Sequence, residues 1–407
     1  MADPFVPPCL AQLPHVSGLA MAACEAGIKY ADRDDLMLMT FCCGTTAAGL
    51  LTRSSLPAAP VLVTRKHLEG DCPRALVVNS GNANAFTGSE GLEHCRMIGQ
   101  ATARAVGCEP EQVLMASTGV IGEPLPAKRI ARSIPELARD VQEADWLRVA
   151  RSIMTTDTFP KGATATAAID GKAVTLCGIA KGSGMIAPDM ATMLAFCFTD
   201  ASIPAGTLKA MLAESAGRTF NAITVDGDTS TSDMLLLFAT GTAGNAPPRF
   251  ADDPRFVEFR TALDAVLKDL ALQIVRDGEG ASKLIEIRVR GAETDSAARQ
   301  IAEAVANSPL VKTAIAGGDA NWGRVIMAVG KSGQKVVPEN LVLKIGGETV
   351  ARGGSRSEDY DEGRVARHLE GAEVLIEIDI GIGNGQFTMW TCDLTHGYIS
   401  INADYRS

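Results

Sequence analysis

An unusual local sequence surrounds one threonine in 181-KGSGMIAPDMATMLAFCFTD-200: a Gly-rich turn, then Pro188, then the pair Ala191 and Thr192 entering an apolar run. A threonine hydroxyl is a poor nucleophile until a base accepts its proton. Histidine is the usual base, yet the five histidines (His15, His67, His94, His368, His396) all lie outside the Gly-rich blocks, so a Ser/His/Asp arrangement has no evident supplier. An N-terminal threonine carries its own base, because its α-amine has a reference pKa of about 7.7 to 8.0 and sits beside the hydroxyl. Thr192 is mid-chain, so that chemistry would require a cut before it. Two other readings compete on local sequence alone. Thr192 could be a β-branched residue of a buried strand, MATMLAFCF. Gly182-Ser183-Gly184 could open a phosphate-binding loop, but Pro188 follows, no predictable strand leads directly in, and no acidic residue stands at the expected distance after a helix.

Elements must hold these residues. The first long section alternates short β-rich runs, 60-PVLVT-64 and 75-ALVVNSG-81, with helical patterns such as 91-GLEHCRMIGQATARAVG-107. From about residue 284 the texture changes to strand-like LIEIRVR, a helix at 294-TDSAARQIAEAVANS-308, LVLKIGG, and 374-VLIEIDI-380. In the last, Val374, Ile376, Ile378 and Ile380 alternate with Glu377 and Asp379, the pattern of a half-buried antiparallel strand. A second, smaller α+β domain follows. The block 381-GIGNG-385 reads as a hairpin turn. In 226-DGDTSTSD-233 the spaced Asp226, Asp228 and Asp233 resemble a calcium loop but lack its terminal bidentate Glu, so the block reads as a structural loop near the active site.

The bulk composition narrows the function classes. The chain has 407 residues, 46% of them hydrophobic, enough for a sizeable core. Against 38 basic side chains stand 48 acidic ones, a net charge of −10, and no Lys/Arg block could neutralise a row of phosphates. Nucleic acid is not expected as a partner. No stretch reaches the roughly 20 apolar residues of a membrane span, and the Pro-rich start lacks a basic n-region, so a cytoplasmic protein without membrane partners is expected. Ten scattered cysteines without metal-ligand spacing read as reduced, mostly buried thiols, and no metal site is expected.

The 181–200 block resembles the glutamate/ornithine N-acetyltransferase family of arginine biosynthesis. The resemblance extends in order through 79-NSGNANAFTG-88, 115-MASTGVIG-122, 154-MTTDTFPK-161, 224-TVDGDTSTSD-233, 276-RDGEGASK-283, 317-GGDANWGR-324 and 401-INADYRS-407. A chance match at one Gly-rich block is easy, whereas eight in order are not.

That resemblance implies self-cleavage between Ala191 and Thr192, giving an α chain of residues 1–191 and a β chain of 192–407 that assemble as α2β2. It implies ping-pong transfer of acetyl from N-acetylornithine to glutamate through Thr192, with no cofactor and with acetyl-CoA left open as a second donor. Thr118 and Gly119 match the oxyanion hole. Thr155, Lys181, Thr192, Glu279, Asn402 and Ser407 match the substrate positions, Thr155 being ambiguous with Thr156 and Thr158 nearby. The implied fold is an Ntn-like layered α+β sandwich over residues 1–283, with a C-terminal α+β domain over 284–407. Asp189, Phe86 and Ser407 depart from the commoner family residues without removing a catalytic atom. A related self-cleaving aminopeptidase, which would release the acyl group to water, is the rival.

Overall fold

The computed structural model describes residues 10, 12–70, 72–187, 193–248 and 250–403. Two sheets stack face to face. The first runs β1 (Leu19–Cys24), β2 (Leu36–Phe41), β4 (Ala75–Asn79), β5 (Val113–Ser117), with β4 and β5 parallel. The second runs β3 (Thr46–Leu51), β9 (Met234–Ala239), β8 (Leu194–Thr199), β7 (Lys172–Lys181), β6 (Lys161–Ile169).

Burial on both faces explains why β8 and β9 read as unbroken apolar runs. Phe196, Phe198, Leu236 and Phe238 meet Met37, Met39, Phe41 and Val78 of the first sheet, and the rings of Phe41 and Phe238 stack at 4.5 Å. Ala195, Cys197, Leu235 and Leu237 point the other way, onto the helices Ala205–Gly217 and Val257–Arg276. The outer face of the first sheet is covered by the helices Gly88–Val106 and Ala127–Leu137. The result is four layers, helix, sheet, sheet, helix, the layered α+β sandwich expected above. Because β8 and β9 lie between β3 and β7, segments on both sides of residue 191 build one sheet.

A third sheet, ordered β13-β12-β11-β14-β10-β15, comprises β10 (Leu284–Ala292), β11 (Val342–Ile345), β12 (Glu348–Arg352), β13 (Ser355–Arg356), β14 (Glu373–Asp379) and β15 (Gly385–Cys392). The helix Asp295–Ala306, capped by the Thr294 hydroxyl, packs on it.

Four expectations need correction here. The run 60-PVLVT-64 is helical, within Ala59–His67: Pro60 suits a first helical turn, and Thr64 and His67 satisfy backbone groups of Met115 and Val113 along the edge of β5. Tertiary contacts thus override β propensity. Strand β14 alternates as expected but is parallel to β10 and antiparallel to β11. Alternation reports one covered face, not the direction of a partner. Finally, 381-GIGNG-385 is not a hairpin, because β10 lies between β14 and β15; the loop crosses the end of β10, where Ile382 and Gly383 donate to the Gly291 carbonyl. Of nine described cysteines, all free, four are buried, so the thiols are less uniformly buried than expected.

Candidate active site

Strand β7 ends at Lys181, so a strand does lead directly into Gly182, contrary to expectation; β8 begins at Leu194, paired opposite Lys181, so β7 leaves the sheet and β8 enters it at the same end. There a cleft of about 100 Å³ opens, lined by Thr118, Gly119, Thr155, Lys181, Gly184, Glu279 and Asn402 among others. All of these but Gly184 are expected site residues, and they come from separate segments of chain and converge. Ala191, Thr192 and Ser407 lie outside the described residues, as does Asp189.

Lys181 is buried at the floor of the cleft. Its Nζ donates to Thr155 Oγ1 at 2.8 Å and to Thr118 Oγ1 at 3.3 Å. Burial pushes its pKa down; Asp157 opposes that, and the second ammonium of Lys161 adds to it. Of the three neighbouring threonines, Thr155 reaches Lys181, while the Thr158 hydroxyl turns away to Asp277.

Thr118 follows the end of β5. Its backbone N–H is already given to the Asn79 carbonyl at 3.0 Å. The donors left for a ligand are its hydroxyl, which accepts from Lys181 and keeps its own hydrogen, and the Gly119 N–H, which has no partner among the described residues. Gly119 has φ +130°, and a Cβ there would come within 2.5 Å of the Asn82 nitrogen. Only glycine lets the two loops touch.

Glu279 is held from both sides. Its N–H donates to the Ser183 carbonyl at 3.0 Å, and its Oε2 accepts from Asn402 Nδ2 at 2.7 Å, on the helix His396–Ala403. The Asp226 carboxylate accepts from the backbone N–H groups of Met185 and Ile186 at 2.6 and 3.0 Å and from the Tyr398 hydroxyl at 3.2 Å, so the 226–233 block does shape the cleft. Among the described residues no cluster of three His, Cys, Asp or Glu could hold a metal.

Several functional-looking residues were not singled out from sequence. Lys161, fully buried, donates to Asp157 Oδ1 at 2.6 Å and to Asp277 Oδ2 at 2.5 Å. Asp157 also accepts from Gly182 N at 2.7 Å and Thr155 N at 3.0 Å. Burial alone would raise the Asp157 pKa, but the Lys161 and Lys181 ammoniums outweigh it and hold the carboxyl well below the usual range. Asp233 differs. Its Oδ1 accepts from Met193 N at 3.0 Å, its Oδ2 has no partner among the described residues, and burial pushes the carboxyl well above its ordinary value. The available signal was position: Asp157, Lys161 and Asp277 sit inside the blocks 154–161 and 276–283, and Asp233 closes the block 224–233.

Comparison with known proteins places this chain in a family. The ArgJ family model matches residues 20–407. An arginine biosynthesis bifunctional protein ArgJ from Gluconobacter oxydans is 52% identical, with 100% of this chain and 97% of that protein covered. A protein of the same description from Rhizobium meliloti is also 52% identical, over 100% and 99%. A solved structure described as arginine biosynthesis bifunctional protein argJ from Bacillus halodurans is 43% identical, with a TM-score of 0.48 over 50% of this chain and 95% of that one. Likeness at half identity along matching full lengths, under a family model spanning nearly every residue, makes this chain a member of the ArgJ family.

Proposed function

We propose that this chain transfers acetyl from N2-acetyl-L-ornithine to L-glutamate, yielding L-ornithine and N-acetyl-L-glutamate. Relatives half identical over the full length are named for arginine biosynthesis, and the convergence of Thr118, Gly119, Thr155, Lys181, Glu279 and Asn402 on one cleft is the observation that carries the reading.

The chain first cuts itself before Thr192: its hydroxyl attacks the Ala191 carbonyl, the Ala191–Thr192 C–N bond breaks to leave an ester and a free Thr192 amine, and water then hydrolyses the ester to the Ala191 carboxylate and the free Thr192 hydroxyl. That amine then takes the hydroxyl proton as the hydroxyl adds to the acetyl carbonyl of the donor. The carbonyl oxygen becomes an oxyanion facing the Thr118 hydroxyl and the Gly119 N–H, the two donors left free. Collapse expels ornithine with a proton and leaves acetyl-Thr192; glutamate repeats the sequence in reverse. The Glu279 carboxylate accepts from the substrate ammonium, and the Lys181 ammonium faces substrate carboxylate or carbonyl oxygen. A shared sheet keeps residues 1–191 and 192–407 together after the cut, and an α2β2 assembly is part of the proposal. So are acetyl-CoA as a second donor and a cytoplasmic location; no described helix is long and apolar enough to cross a membrane.

Ornithine release from N-acetylornithine, measured with and without glutamate, tests the transfer. Release that depends on glutamate and yields equal N-acetylglutamate is expected. Equal release without glutamate would mean hydrolysis and would contradict the reading. Initial rates with acetyl-CoA as the only donor test the second activity.

A further inference from the structure

Lys161 opens β6 with no exposure at all, and it does not line the cleft. A buried ammonium survives only if it is paired. Its two partners tie together three segments that do line the cleft. Asp157 accepts from Thr155 N and Gly182 N, and its Oδ2 lies 3.8 Å from Lys181 Nζ. Asp277 accepts from Thr158 N at 3.0 Å, its carbonyl accepts from Ser183 Oγ at 2.5 Å, and Glu279 follows two residues on.

At 3.8 Å, Asp157 does not hydrogen-bond Lys181. It acts on the cleft lysine through charge, while Lys181 spends its hydrogens on the hydroxyls of Thr155 and Thr118. The titratable groups that face Lys181 are Asp157, Lys161, Glu279 and Asp233. Among these Asp157 is the ion-pair partner within 4 Å, and Lys161 is a second positive charge behind it.

We propose that Asp157 is a positioning residue for the transfer reaction, holding the charged Lys181 against Thr118 and Thr155 while Lys161 holds Asp157. This rests on the acetyl-transfer reading for its catalytic consequence but not for its charge effect. The carboxylate keeps Lys181 protonated in a cleft where burial and Lys161 both work to discharge it. Lys161 fixes the carboxylate so that it cannot swing out and bond Lys181 directly, which would draw the ammonium away from the hydroxyls.

The test compares the unaltered protein with Asp157→Asn and Asp157→Glu. Each is labelled with acetic anhydride over a pH series, and modification of the Lys181 peptide is read by mass spectrometry. This readout needs no transfer activity. The Asp157→Asn change should move the Lys181 labelling midpoint down by about one pH unit or more, and Asp157→Glu should largely restore it. An unmoved midpoint in Asp157→Asn, with only a lower melting temperature, would overturn the proposal, because loss of a purely structural contact does not discharge a lysine. Should Asp157→Asn fail to fold, Asp157→Glu decides: a midpoint near that of the unaltered protein is expected, and one lowered as far as burial alone would place it contradicts the proposal. In parallel, the basic limb of kcat/KM for glutamate-dependent transfer should follow the labelling midpoint. If the unaltered protein shows no such transfer, the functional reading fails while the labelling result still decides the role of Asp157.

Discussion

The carboxylate of Glu279 and the amide of Asn402, 123 residues apart in the chain, are joined by a 2.7 Å hydrogen bond across the mouth of the cleft. The helix His396–Ala403 thereby completes a site whose other parts come from the layered sandwich. Gly184 passes directly beneath: the three atoms nearest to a Cβ placed there all belong to the Glu279 carboxylate, with which it would collide.

Gly184→Ala should therefore separate stability from activity. The obstructed group is the end of a flexible side chain, so the melting temperature should change little. Displacing it by about 1 Å should lower kcat/KM by roughly tenfold to a hundredfold, mostly through KM for N-acetylornithine. Thermal unfolding and steady-state kinetics on one preparation check both halves.

Gly119 behaves differently because a Cβ there meets the backbone of Gly81 and Asn82, and φ is +130°. Gly119→Ala should lower both melting temperature and kcat. Thr118→Ala removes a single donor while the Thr118 N–H keeps its bond to Asn79, so it should leave the melting temperature nearly unchanged and cost about 10²- to 10³-fold in kcat.

Asp233 should leave a signature in stability against pH. Its folded pKa is raised by burial, so the native state keeps a proton that the unfolded chain gives up above about pH 4. Stability should therefore fall as pH rises from about 4 toward the native pKa, by up to about 1.4 kcal/mol per unit. Asp157 is held low and contributes the opposite: stabilisation present above about pH 4 and lost as pH falls through its native pKa. Asp233→Asn should flatten the decline on the neutral side and leave the acid limb intact. Urea midpoints between pH 4 and 8 measure this; an unchanged slope there contradicts a protonated Asp233.

Much of this was legible in the chain. The apolar run that holds β8, the helix beginning near Thr294, and the Gly-rich blocks that converge on the cleft follow from local pattern and from family resemblance. What local pattern missed depended on distant contacts. Nothing in PVLVT says that Thr64 will satisfy the edge of β5 and so favour helix. Nothing in GIGNG says that β10 will be inserted between its two flanking strands. Lys161 looks like an ordinary strand-end lysine, and only the fold brings Asp157 and Asp277, 120 residues apart, to its two sides.

The most direct test of the central claim is the intact mass of the purified protein under denaturing conditions, with N-terminal sequencing of each fragment. Two chains are expected, the second beginning Thr192-Met193-Leu194. A single uncut chain of about 42.6 kDa that still carries out glutamate-dependent transfer would contradict the N-terminal threonine mechanism.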